Sequence, residues 1–391
     1  MESFAVKKHR EWHGKVETKV KCPVETAEEL AVAYTPGVAE ACMEIYRDPS
    51  QSFQLTGRAN TVAVITDGTA ILGLGNIGPE AGMPVMEGKC ALFKTFGNVD
   101  AVPLCLRTTD TEEIIRIVKC LEGSFGGINL EDISAPRCFE VETRLKNEMN
   151  IPVFHDDQHG TAIVVTAALM NAAKVVGKKL CDMTVVINGA GAAGISIGKF
   201  LLKTGVADVI MVDKCGILSR GENYQNAAHE QICQITNKNN LKGNLADAMK
   251  GTDAFVGVSV GNLVTEQMVR SMAQNPIVFA CANPVPEITP EKALAGGAAV
   301  VGTGSSKYPN QINNVLVFPG LFRGAFDANA AKITDEMMIA AAEGIAQIVS
   351  DEELCATYVL PKATDKRAHE AVADAVKNAA LRATGGLKTR K

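Results

Sequence analysis

Large rings are scarce in this sequence: aromatic residues make up 5% of the 391, with a single tryptophan. Its core must therefore be aliphatic, and the 47% hydrophobic content suits an α/β protein with buried strands rich in valine and isoleucine. No basic cluster stands out and the net charge is −5, so nothing draws in nucleic acid and a small-molecule substrate is expected. The eleven cysteines form no CxxC pair and no zinc-finger spacing, and their number is odd. Reduced thiols in a reducing compartment follow. No apolar run reaches membrane-spanning length. The amino-terminal MESFAVKKHREWHGK has no signal-peptide core and mixes acids with bases. The expectation is a cytoplasmic protein with neither a membrane nor a nucleic-acid partner, long enough for two or three domains.

What the sequence does have is centred on VVINGAGAAGISIGKFLLKTGVADVIMVD, residues 185–213. An apolar β-prone run leads into Gly189-Ala190-Gly191-Ala192-Ala193-Gly194, then a helix, a second apolar run and Asp213. That is the order a dinucleotide site needs. Gly189 permits the tight turn, Gly191 lets the backbone approach a pyrophosphate, and Gly194 lets the helix pack on the strand. The helix N-terminal amides, at Ala192 and Ala193, hold the phosphate, and Asp213 accepts from a ribose hydroxyl. The competing reading is an ordinary glycine turn in a parallel sheet. A second GxGxxG, Gly73 to Gly78, is set aside because Pro79, Gly82 and Pro84 follow where a phosphate-binding helix should begin.

Acids cluster where other strands should end. The run 127–130 passes into Glu131-Asp132, and 152–154 passes into His155-Asp156-Asp157-Gln158-His159-Gly160. Two strand ends presenting paired carboxylates make a site for Mg²⁺ or Mn²⁺. Zinc on His155 and His159 ranks behind it, because a helix starting near Gly160 would not put both on one face, and a solvated acidic loop lies between. Lys94, set in LFKTF, either snorkels to the surface or is a buried base of lowered pKa. Tyr34 precedes the Pro36-Gly37 turn, where packing is the usual role. Asn283 is a strand-end amide or part of an Asn-Pro turn. Residues 137–149 read as a charged, exposed helix, and the tail LKTRK as frayed.

Together Tyr34-Thr35-Pro36-Gly37, GLGNIG at 73–78, LFKTFGNVDAVP, NLEDI, FHDDQHGTA at 154–162, GAGAAG, ANPVPE at 282–287 and NNVLVFPG at 313–320 resemble the malic enzymes, in order over nearly the whole chain. The length and His159 resemble the small prokaryotic-type subclass. The resemblance implies metal-dependent oxidative decarboxylation of L-malate to pyruvate and CO₂ with NAD or NADP, and decarboxylation of oxaloacetate as a side activity. It implies Glu131, Asp132 and Asp157 as metal ligands, Lys94 as general base accompanied by Asp156, and Tyr34 as general acid. Asn283 and Asn314 would touch cofactor or substrate. Larger family members carry a substrate-carboxylate arginine where this chain has Ala70.

The expected fold is α/β: a Rossmann-type doubly wound parallel sheet at 156–391 and an amino-terminal α/β domain at 1–155, with the site in the cleft between them. The part after about 314 is expected to pack back on the first domain. Asp213 leans towards NAD, with Lys214 and Arg220 near enough in sequence to offset it, and a homodimer is expected on grounds of symmetry. The rival readings are an amino-acid dehydrogenase-like oxidoreductase, which needs no acid cluster, and a non-catalytic dinucleotide sensor.

Overall fold

A computed structural model describes residues 2–383 and 390. Two sheets organise it. The first holds β1 (Thr61–Thr66), β2 (Asp100–Cys105), β3 (Gly127–Leu130) and β4 (Val153–His155), all parallel, in the order β2-β1-β3-β4. The second holds β5 (Thr184–Asn188), β6 (Asp208–Asp213), β7 (Gly216–Ile217), β8 (Ala254–Gly257), β9 (Ile277–Ala280) and β10 (Val300–Thr303), in the order β10-β9-β8-β5-β6-β7. This is the doubly wound dinucleotide order, with its third strand reduced to the two residues of β7, which run antiparallel to β6. The expected fold class holds.

Both faces of each sheet are covered, so the strands need no polar side. In β1, Val62 and Val64 face a cluster containing Met86, Phe93 and Phe318. Ala63 and Ile65 face another containing Ile114, Val118 and Val141. The alternation has period two, as a pleated strand requires.

Two local expectations fail. A helix, Pro79–Gly97, does follow GLGNIG directly. Pro79 occupies its first position, where a missing N–H costs nothing, and Pro84 falls only five residues later. The tail was expected to fray; residues 387–389 and 391 lie outside the described residues, but Arg390 is buried, at 4% exposure. Its guanidinium donates to Asn329 Oδ1 and to the carbonyls of Ala59, Gly126 and Phe326, and stacks over the rings of Phe53 and Phe326.

After β10 the chain returns to the first sheet. In the Phe318–Asp327 helix, Phe318 and Phe322 place their ring centroids 4.7 and 5.4 Å from that of Phe93. Gly97 allows this: a Cβ there would lie 2.6 Å from the carbonyl oxygen of Pro319. At the other end, the helices Phe4–Trp12, Ala27–Ala33 and Val38–Arg47 bury no side chain.

Arg390 thus ties the last described residue to both halves. Arg390→Ala should lower unfolding stability by about 2–4 kcal/mol, as expected for a charged donor whose removal strands buried carbonyls. Urea titration would show it as a lower midpoint at unchanged slope, whereas an unshifted midpoint would mean the contacts contribute nothing.

Candidate active site and metal centre

The carboxylates converge because β3 and β4 are adjacent and parallel, with Leu130 opposite His155. Glu131-Asp132 and Asp156-Asp157 therefore leave the same edge of the sheet side by side, about one strand spacing apart. Ligand atoms of Glu131, Asp132 and Asp157 all lie within 4.8 Å of one another. Asp132 takes a left-handed backbone, φ 53°, which turns its N–H onto Asp157 Oδ2 at 2.8 Å. Asn129 Nδ2 donates to Glu131 Oε2 at 2.9 Å.

Burial dominates the electrostatics. It pushes the carboxyl of Glu131 up to about 7, Asp157 to about 6 and Asp156 to about 7. Asp132 is pushed up to about 9, by burial first and then by Asp157 and Glu131. One buried cation faces them. Lys89 Nζ lies 2.5 Å from Asp156 Oδ2 and 3.0 Å from Glu131 Oε1, over the ring of Phe318 at 4.3 Å. Burial works against its charge, but Asp156 and Glu131 outweigh burial and hold the ammonium above the ordinary lysine range. Asn314 Nδ2 completes the set at 2.5 Å from Asp156 Oδ2.

This donor set fits a divalent cation. Three oxygen-only carboxylates share one pocket, Asp132 Oδ2 and Asp156 Oδ1 are buried without a hydrogen-bond partner, and one lysine cannot balance them all. The histidines do not pair on one cation. His155 is buried with its Nδ1 3.8 Å from Asp157 Oδ2, whereas His159 Nε2 turns away to Glu142 Oε1 at 2.8 Å. The zinc alternative has no second histidine to stand on.

Lys94 is not in this cluster. It is half-exposed at 52% and pairs with Asp100 at 2.7 Å. The correction has a geometric cause: five residues on a helix place Lys94 about 140° round from Lys89. Lys89 shares the buried face of Gly82, Met86, Cys90 and Phe93, and that period was the sequence signal for it. Tyr34 also stands apart, 66% exposed beyond the Ala27–Ala33 helix. Ala70 borders the acids, its N–H donating to the Asp132 carbonyl at 3.0 Å, with no side chain to hold an anion. Glu142, on the helix expected to be exposed, is 5% exposed. It fixes His159 and Lys146, at 2.7 Å, and their charges hold its carboxyl low against the effect of burial.

The second half supplies a nucleotide cradle. Gly189 has φ 116°, and a Cβ on Gly194 would stand 1.7 Å from the Gly189 carbonyl oxygen, so only glycine closes this turn. Gly191 has open space around it. A cavity of about 360 Å³ adjoins the turn, lined by Gly189, Gly191, Asp213, Lys214, His229 and Ser259 among others. Ala192 and Ala193 open the following helix. Arg220 is not free for a phosphate, since its guanidinium donates to the carbonyls of Cys233, Thr236 and Lys238. The cradle meets the acids: Ala192 packs on the cluster containing Leu130 and Ile133, which flank Glu131 and Asp132. Asn283, at the end of β9, lies against the GLGNIG loop, its carbonyl oxygen 3.3 Å from where a Cβ on Gly73 would be.

Residues 13–111 and 107–146 match the family description "Malic enzyme, N-terminal domain", and residues 158–381 match "Malic enzyme, NAD binding domain". The chain is 56% identical to the NAD-dependent malic enzyme of Geobacillus stearothermophilus, over 94% of this chain and 77% of that one. It is 54% identical to the bifunctional malic/malolactic enzyme of Bacillus subtilis, over 95% and 91%. The crystal structure of an NAD-dependent malic enzyme from Thermotoga maritima superposes with a TM-score of 0.92 at 48% identity, covering 96% of this chain and 99% of that one.

Cation binding is testable without turnover. Mn²⁺ should raise the thermal unfolding midpoint, worth about 3 kcal/mol at a hundredfold excess over Kd. Asp157→Asn should remove most of that gain. An equal shift in wild type and variant would place the ion elsewhere.

Proposed function

The chain belongs to the malic enzyme family, and from that premise we propose that it carries out metal-dependent oxidative decarboxylation of L-malate to pyruvate and CO₂, reducing NAD or NADP. The observation that carries this reading is Lys89 buried between Asp156 and Glu131, beside a three-carboxylate group. Neither an amino-acid dehydrogenase nor a nucleotide sensor needs those three acids.

Glu131, Asp132 and Asp157 would hold Mg²⁺ or Mn²⁺, which when bound would supply Lewis-acid chemistry to the decarboxylation. Gly189, Gly191, Ala192, Ala193 and Gly194 would hold the nucleotide, which when bound would supply the hydride acceptor for C2. Lys89 takes the C2 hydroxyl proton, in the role that the family resemblance implied for Lys94. It can do so only as a neutral amine. Of the two carboxylates that keep it charged, Glu131 is also a proposed ligand, and its engagement by a cation would reduce the negative field on the lysine. Asp156, fixed by Asn314, orients Lys89. Asn283 and Asn314 border substrate and nicotinamide. Asp213 accepts from a ribose 2′-hydroxyl and would repel a 2′-phosphate; with Arg220 occupied, Lys214 is left to offset it, which favours NAD.

Loss of CO₂ from oxaloacetate leaves an enolate, and Tyr34 is the proposed acid at its C3. Tyr34 lies on a segment that exposes Trp12, Val32 and Tyr46 at 54%, 77% and 80%, and a homodimer is where that apolar surface gains its cover. The eleven cysteines are free and no described helix is long and apolar enough to cross a membrane. Both suit a cytoplasmic setting.

Steady-state turnover of L-malate with Mn²⁺ and NAD tests the base. Lys89→Ala should cut kcat by about a thousandfold or more, as loss of a general base does, while Lys94→Ala keeps most of it. Comparable losses in the two would refute the assignment. In Tyr34→Phe, enolpyruvate protonation should slow while oxaloacetate reduction by NADH persists. If both partial reactions fall together, Tyr34 is not acting as the acid alone.

A further inference from the structure

A second cavity, of about 350 Å³, opens where the Arg137–Glu148 helix, the Asp156–Gly160 turn and the Ala192–Lys203 helix meet. It shares no lining residue with the nucleotide cavity and contains neither Lys89 nor any residue of the acid cluster. The malate reaction makes no use of it.

Its charges do not balance. Lys146, Lys199 and Lys203 line it against Glu142 and Asp335. Lys146 is 2.7 Å from Glu142, and Lys203 pairs with Asp335. Lys199 lacks an acidic partner among the described residues, although it is half-buried, and burial followed by the nearby Lys203 lowers its pKa. A partly buried ammonium without a counter-ion gains from an anion beside it. Gln158, also in the wall, is 2% exposed, and its Nε2 has no hydrogen-bond partner. One cation without an acidic partner and one unpaired amide donor in the wall of a half-open cavity of small-ligand size ask for the same thing.

We propose that this cavity is a binding site for a small oxyanion, a carboxylate or a phosphate, with Lys199 as its principal counter-charge. Lys203 and Lys146 reinforce the field, and Gln158 turns its free amide to the ligand. The site adjoins the turn that carries Asp156 and Asp157, but the proposal needs neither metal nor turnover.

Calorimetric titration of the intact protein in EDTA, with inorganic phosphate and separately with succinate, tests it. Saturable binding of at least one anion is expected, weakened about tenfold or more in Lys199→Gln, the scale of one charge-assisted hydrogen bond. Lys214→Gln, which removes the lysine at the nucleotide cavity, should leave it unchanged. Phosphate alone, succinate alone or both would identify the source while supporting the site. Absence of saturable binding by either, equal affinity in Lys199→Gln, or a loss seen in Lys214→Gln instead would overturn it. Malate turnover without added anion should be unaltered in Lys199→Gln, so this proposal and the catalytic reading can fail separately.

Discussion

One ammonium set against four clustered carboxylates, three of them buried and Asp157 partly so, is the constraint from which the rest of this structure follows. Lys89 touches Asp156 and Glu131, while Asp132 and Asp157 stand beside them. Removing such charges from water is tolerable only where they are paired, and a single lysine cannot pair all four. Proton uptake relieves part of the excess, as the raised carboxyls of Glu131, Asp132, Asp156 and Asp157 indicate. A divalent cation relieves it more completely. The same imbalance that would be a fault in a structural core is therefore what a metal centre requires.

Holding that arrangement takes pieces from distant parts of the chain. Adjacent parallel strands bring the acids together, and Gly160 lets the turn close over Asp156, since a Cβ there would fall 2.0 Å from Asp156 Oδ1. The returning chain places Asn314, in the turn Asn314–Leu316, on Asp156 and Phe318, at the start of the next helix, beneath Lys89. Lys89 is thereby held from below by a ring and from the sides by oxygens, with little freedom to leave.

What could be read from the sequence was what is local. GAGAAG with its flanking strands and Asp213 carries its own geometry, and paired acids after an apolar run announce a strand end. The lysine was misassigned because apolar neighbours in sequence are not neighbours in a helix. LFKTF surrounds Lys94 on paper, but the face that is buried runs through Met86, Lys89, Cys90 and Phe93. Glu142 was hidden in a helix whose mean composition is polar although its Cys138, Val141 and Leu145 face is not. Arg390 could not have been found at all, because its partners Ala59, Gly126, Phe326 and Asn329 are scattered over the chain.

The two halves meet for a reason that lies in their topology. Each sheet reverses its strand order once, between β1 and β3 in the first and between β5 and β8 in the second, and ligands gather beyond the carboxyl ends of strands at such points. Glu131 and Asp132 follow β3, and Gly189 follows β5. Contact between Ala192 and the cluster around Leu130 and Ile133, with Asn283 against Gly73, brings the two crevices to one cleft. A hydride acceptor and a cation site can then face one small substrate without either half contributing the whole site, and separating the halves would leave a nucleotide-binding sheet and an acid cluster with nothing between them to oxidise.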